Sequence, residues 1–176
     1  MIYFAYFHAD LEYGIFWGDS VESKKIFQQQ KRIIRFITGS TSRISCRTLF
    51  RKSEILTLTS QYILSLMWFL SSNLEIYTFN TSVHNINTRR KLKPHKRATR
   101  LTMYQRSVYY NSINIYHKLT DDLAELASNK KCFLLQLKKY QTNIPFYSVE
   151  EYFECTIDLW REAQCGSYKS YVYTGF

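Results

Sequence analysis

The sequence predicts an all-α protein, an irregular bundle of about five to seven helices with a long basic loop. Apolar side chains recur every three or four residues in most segments, which is the period of a helix with one buried face. Glycine and proline, which are frequent in the turns of folds with many short strands, number only five and two. Apolar residues make up 45% of the 176 residues, which is enough to build a core.

The first predicted part, residues 1–78, is helical. Asp19 with Glu22 three residues later is typical of a capping box at a helix start. Gly39 supplies a residue suited to ending that helix. The last helix of this part has apolar side chains over a wide face, so we expect it to be the most buried element. The predicted helices cover about residues 2–16, 19–39, 45–50 and 59–72.

The second predicted part, residues 79–106, is a long basic loop, because apolar periodicity disappears there. A loop of this length inside a compact domain is usually functional or disordered. Eight basic residues and no acidic residue lie between Arg89 and Arg106. Tyr104 lies in the same segment, and tyrosine rings can stack on bases. Nucleic-acid contact is therefore one interpretation, and a solvated charge run or a nuclear-import signal is the other.

The third predicted part, residues 107–163, is helical again, and residues 164–176 form a weakly structured tail. Its last helix extends to about residue 163. The residues predicted to begin the helices of this part are Ser107, Asp121 with Asp122, Asn129, and Ser148 with Glu151 as a second capping box.

Positive charge is concentrated in the middle of the chain. The net charge is +10, but between Lys24 and Arg106 it reaches +15, from 17 Lys and Arg against two acidic residues. A basic middle with acidic ends indicates a polyanionic partner, either a phosphate backbone or anionic lipid. The helix after Asp19 carries a second basic face, whose other interpretation is an ordinary solvated helix surface. The predicted nucleic-acid-binding residues are Lys24, Lys25, Lys31, Arg32, Arg35, Arg89, Arg90, Lys91, Lys93, Lys96, Arg97, Arg100, Arg106 and Tyr104.

No residue set predicts catalysis, a metal site or a cofactor. The Asp121–Asp122 pair has the residue types of a two-magnesium site, but it lacks the strand and the preceding aromatic-Ala that polymerases of this kind use. The four cysteines have no zinc-site spacing, and there is no glycine-rich phosphate loop. The longest apolar run, residues 63–70, is too short to span a bilayer. We expect a soluble intracellular protein of the nucleus or cytoplasm, without a membrane partner.

Several short motifs occur in an order typical of one family. "YFHADLEYGIFWG" is followed by "SKKIFQQQKRIIRFITG", "SCRTLF" and "ILTLTSQYI". Then come "HNINTRR", "RLTMYQRSVYYNSINIYHKL" and "FYSVEEYF". This succession, over about residues 3–153, resembles the region downstream of the polymerase palm in non-LTR retrotransposon reverse transcriptases, the jockey-like LINE elements.

The resemblance implies a thumb-like helical region that grips template and primer. RNA or an RNA–DNA hybrid is the implied partner, and the polymerase palm is a further one. The family's catalytic aromatic-Ala-Asp-Asp turn would lie upstream of Met1, so the implied product is a non-catalytic remnant of an RNA-directed DNA polymerase from a transposable element, not an enzyme. Family members usually have proline where Thr59 and Thr120 stand, at helix starts. The alternative is a structural or protein-interaction helical module without a nucleic-acid role.

Overall fold

The protein is mainly helical in the part of the chain that its computed structural model describes, which is residues 3, 21–83, 93–120, 123–124 and 126–155. Within these ranges there are eight α-helices and no strand, which confirms the predicted all-α bundle. Two of the eight, α4 and α5, are single turns. The helices are α1 (Val21–Thr38), α2 (Cys46–Lys52), α3 (Leu58–Ser72), α4 (Asn80–Val83), α5 (Thr102–Gln105), α6 (Val108–Lys118), α7 (Lys130–Asn143) and α8 (Val149–Glu154).

Some predicted features lie outside the described residues. These are the helix over 2–16, the cap at Asp19, the pair Asp121–Asp122 and everything after Cys155. The last helix of the described residues ends at Glu154, and the N–H of Cys155 donates to the carbonyl of Glu151. None of the helices in the described ranges combines the length and the apolar composition needed to cross a bilayer.

Local capping signals set the helix boundaries. Gly39 has a φ of 59°, and its N–H and that of Ser40 donate to the carbonyls of Phe36 and Arg35 at 3.2 and 3.0 Å, as in a Schellman motif. This confirms the predicted end of α1. The side chains that accept a hydrogen bond from a first-turn N–H are Thr57 for α3, Ser107 for α6, Asn129 for α7 and Ser148 for α8.

Two of these helix starts differ slightly from expectation. α3 begins at Leu58, one residue before the predicted start at Thr59. In the box at α8, the carboxylate of Glu151 accepts from the N–H of Tyr147 at 2.8 Å, one residue before the cap. The Glu151 carboxylate therefore binds the connection before α8 to the first turn of the helix, and the Ser148 hydroxyl caps the helix.

α3 is the centre of the larger of two hydrophobic clusters. Ile63, Leu66, Met67 and Leu70 have no exposed surface, which confirms that this helix is deeply buried. It packs against α6 and α7, and residues of α8 complete the cluster. The smaller cluster lies between α1 and α2, around Phe50. α3 thus forms its core with helices that lie beyond residue 107 in the chain.

Buried polar side chains join the two clusters. Gln30 of α1 is fully buried, and its amide accepts from the N–H of Leu58 and donates to the carbonyl of Leu56, both at 2.9 Å. The hydroxyl of Thr57 donates to the carbonyl of Phe146 at 2.6 Å. The bonds of Gln30 fix α1 against the start of α3, and they therefore determine the direction in which the basic face of α1 is presented.

Candidate nucleic-acid interface

The exposed face of α1 is strongly cationic. Lys24, Lys25 and Arg32 are exposed, and Lys31 and Arg35 are half-buried. Among the residues the structure describes, no carboxylate forms an ion pair with any of these five side chains. The apolar side of the same helix, with Ile34 fully buried, faces the smaller cluster. Amphipathic packing therefore presents the charges outward, as a polyanion-binding surface requires.

Lys31 is the most constrained cation of this face. Its Nζ lies 4.2 Å from the ring centroids of both Phe27 and Tyr147, within cation–π distance. Burial lowers the pKa of the Lys31 ammonium, and the charges of Arg35 and Arg47 act in the same direction. Lys31 is thus held in place by aromatic rings and repelled by two neighbouring cations.

Arg47 of α2 is a cation that the sequence analysis missed. Its guanidinium carbon lies 4.4 Å from the ring centroid of Tyr147, and its Nη1 lies 2.5 Å from a carboxylate oxygen of Glu151. The only available signal was its place in "SCRTLF", two residues after Ser45, where a short helix was predicted to begin. Its approach to Tyr147, one hundred positions away, follows from tertiary packing alone.

The basic loop is anchored to the bundle at its first residue, Phe79, and again at Pro94. Phe79 and Pro94 form an isolated antiparallel bridge, in which the N–H of Asn80 donates to the carbonyl of Lys93 at 3.1 Å. A ring nitrogen of His117 on α6 lies 2.7 Å from the carbonyl oxygen of Pro94. The bridge and the His117 contact therefore fix the position of the chain at Pro94, where the following part of the loop begins.

Beyond this anchor the predicted loop cations are at the surface. Lys96, Arg97, Arg100 and Arg106 are exposed, and Lys93 is half-buried. The Nζ of Lys96 lies 5.0 Å from the ring centroid of Tyr110. Three further predicted contacts, Arg89, Arg90 and Lys91, lie outside the described residues.

The tyrosines beside the loop pack on one another. Tyr104 is half-buried, and its ring centroid lies 5.8 Å from Tyr110 and 6.2 Å from Tyr109. Tyr109 in turn stacks on Tyr77 at 4.7 Å. Stacking of Tyr104 on a base remains a prediction, because part of its ring is already in contact with these neighbours.

A shallow cleft lies next to the anchored loop. It has a volume of about 430 Å³ and is lined by Lys96, Asn114, His117, Lys118 and Phe153. Basic groups, an amide and an aromatic ring are the side chains that contact phosphates and bases in nucleic-acid complexes. The loop and α1 are held by different elements, since α1 packs on α2 and α3 whereas the loop is joined to α4 and α6. The structure thus has two cationic surfaces, one on α1 and one along the loop.

The described residues contain no group of three His, Cys, Asp or Glu side chains arranged to hold a metal ion. Cys46 and Cys155 are buried cysteines, and Cys132 is an exposed one. No known protein family matches the chain, and no curated protein or solved structure is significantly similar to it.

Proposed function

We propose that the chain is a non-catalytic remnant of a jockey-like non-LTR retrotransposon reverse transcriptase that binds RNA or RNA–DNA hybrid without sequence preference. The observation that carries the proposal is the exposure of cations on two elements. These exposed cations are Lys24, Lys25 and Arg32 on α1, and Lys96, Arg97, Arg100 and Arg106 beside the anchored loop. The motif order over residues 3–153 supports the retrotransposon origin.

Phosphate contacts predict steep salt dependence. Each phosphate of a single strand that a cation neutralises contributes about −0.7 to the slope of log K against log salt concentration. The seven exposed cations give an upper limit of about −5 for that slope. Backbone contacts carry no sequence information, so affinities for oligonucleotides of different base composition should be similar.

The proposal is tested by fluorescence anisotropy with a 20-nucleotide oligouridylate and a matching RNA–DNA hybrid, from about 50 to 200 mM KCl. The triple variant Lys24→Gln, Lys25→Gln, Arg32→Gln should flatten the slope by about 2. A matched triple on α7, Lys131→Gln, Lys138→Gln, Lys139→Gln, removes the same net charge from another exposed surface and should leave most of the slope intact. Absence of binding at low salt, or equal losses in the two triples, would contradict the proposal.

A protein-interaction module without a nucleic-acid role is the second candidate, and one apolar groove favours it. The groove lies between α3 and α7, has a volume of about 450 Å³ and is lined mainly by Leu64, Trp68, Leu134 and Leu135. Trp68 and Leu135 are 49% and 59% exposed. Exposed apolar surface of this kind commonly covers itself by association, here with a second copy of the chain.

Sedimentation velocity separates the two candidates. The second predicts a dimer that Leu135→Glu converts to a monomer, without RNA binding in either. The first predicts that reversing the charges of Lys96, Arg97 and Arg100 to Glu abolishes RNA binding while the sedimentation coefficient stays unchanged. Under the first function a variant changes RNA binding and not the oligomeric state, and under the second a variant changes the oligomeric state and RNA binding is absent.

A further inference from the structure

Two cations from two helices contact one tyrosine ring, and a third lies one helical turn away. Lys31 Nζ and the guanidinium of Arg47 lie 4.2 and 4.4 Å from the centroid of Tyr147, so their separation cannot exceed the sum of these distances. Arg35 follows Lys31 by four residues on α1, so the two side chains share one face of the helix. The Phe27 ring meets Tyr147 edge-on at 4.9 Å and supports it.

The carboxylates of the described residues do not balance the charges of this cluster. Among these residues, Glu151 is the carboxylate that contacts it, through Arg47 at 2.5 Å. Three positive charges against one negative charge leave an excess of two; Lys31 and Arg35 are half-buried, where repulsion is less screened than in water, and Arg47 is exposed. The Nε of Arg35 is buried and has no hydrogen-bond partner. Buried guanidinium donors normally have an acceptor, so this one lacks its partner.

A tetrahedral oxyanion would supply the missing negative charge. It carries one or two negative charges and several acceptor oxygens, and arginine forks bind such groups through paired hydrogen bonds. We propose that Lys31, Arg35 and Arg47 form a binding site for one phosphate group, with Tyr147 as the platform that positions Lys31 and Arg47. The nucleic-acid part of this inference rests on the proposed function, because it assigns one backbone phosphate to the cluster.

The first test uses inorganic phosphate and the full chain. Thermal unfolding is followed while potassium phosphate replaces potassium chloride at constant ionic strength. A bound anion raises the midpoint in a saturable way, because it binds the folded state alone. Arg35→Gln should weaken the apparent affinity for phosphate at least tenfold, whereas Arg51→Gln, an exposed arginine of α2, should titrate like the wild type.

Arg35→Lys provides a variant that keeps the charge and removes the fork, and it should give an intermediate affinity. If Arg35→Gln fails to fold, Arg35→Lys and Lys31→Gln carry the test. A wild-type midpoint that is the same in phosphate and chloride overturns the inference. Equal phosphate titrations in the wild type and the cluster variants overturn it as well.

The second test separates this site from the proposed function. With the oligouridylate, Arg35→Gln should reduce the magnitude of the salt slope by about 0.7, and Arg51→Gln should not. A saturable phosphate response without any RNA binding leaves the site standing, as one for a small phosphorylated molecule, and refutes the proposed function. RNA binding with no phosphate response, and with an unaltered slope in Arg35→Gln, refutes the site and leaves the proposed function intact.

Discussion

Gln30→Leu should destabilise the protein far more than the same change at its neighbour Gln29. The chain has three consecutive glutamines at 28–30, of which the first two are exposed and the third is completely buried. The amide of Gln30 makes three hydrogen bonds, to the Leu58 N–H, the Leu56 carbonyl and the Tyr3 hydroxyl, at 2.8 to 2.9 Å. Leucine has a similar size and can make none of them.

The expected magnitude follows from the partners that are left behind. The substitution strands a backbone N–H and a backbone carbonyl, each at a cost of about 1–3 kcal/mol when buried. Burial of the more apolar leucine side chain offsets about 1–2 kcal/mol of that cost. We therefore expect a net loss of about 2–4 kcal/mol, which lowers the melting temperature of a protein of this size by roughly 5–15 °C.

Urea denaturation monitored by far-ultraviolet circular dichroism measures the difference. Gln29→Leu changes an exposed side chain in the same helix, so its free energy of unfolding should stay within about 0.5 kcal/mol of the wild type. If Gln30→Leu loses no more stability than Gln29→Leu, the buried amide does not hold α1 on α3, and the reasoning fails.

Three further perturbations test other contacts. Thr57→Ala removes the cap of α3 and a buried hydroxyl, and should lower the free energy of unfolding by about 2 kcal/mol, against less than about 0.5 kcal/mol for Thr59→Ala, as measured by urea denaturation. Gly39→Ala should lose about 1 kcal/mol, because its φ is positive although nothing lies within 4 Å of the added methyl group; Gly39→Asn should lose less. Burial disfavours the charged form of Glu151, but hydrogen bonds and the charge of Arg47 outweigh it and hold its pKa below the usual value. The wild type should therefore exceed Glu151→Gln in stability above about pH 4.5, and denaturation midpoints of the two should converge as the pH falls through the folded-state pKa; a constant difference would contradict this.

Helix boundaries were predictable because capping is local. Gly39, Asn129 and Ser148 act within one turn of their own position, so the neighbouring residues contain all the necessary information. Apolar periodicity predicted which side chains are buried less completely. Ile37 follows the buried Ile34 by one helical turn on α1 yet is 51% exposed, since periodicity defines a face of the helix and not how far the packing partner extends along it.

The least predictable features depend on distant residues. Ile115 of α6 is buried, and the hydroxyl of Tyr152, 37 positions away on α8, donates to its carbonyl. In the candidate site, the cations of α1 and the loop were evident from composition. The contribution of Arg47 was not, because Tyr147 reaches it only through the tertiary fold.

The adjacent residues Phe146 and Tyr147 belong to different hydrophobic clusters, the first to that around α3 and the second to that between α1 and α2. A single peptide bond thus mechanically couples both cores. Loosening one core displaces a ring of the other, so the two should melt in one cooperative step with a shared transition midpoint. Substitutions in this dipeptide should therefore affect the packing of both clusters.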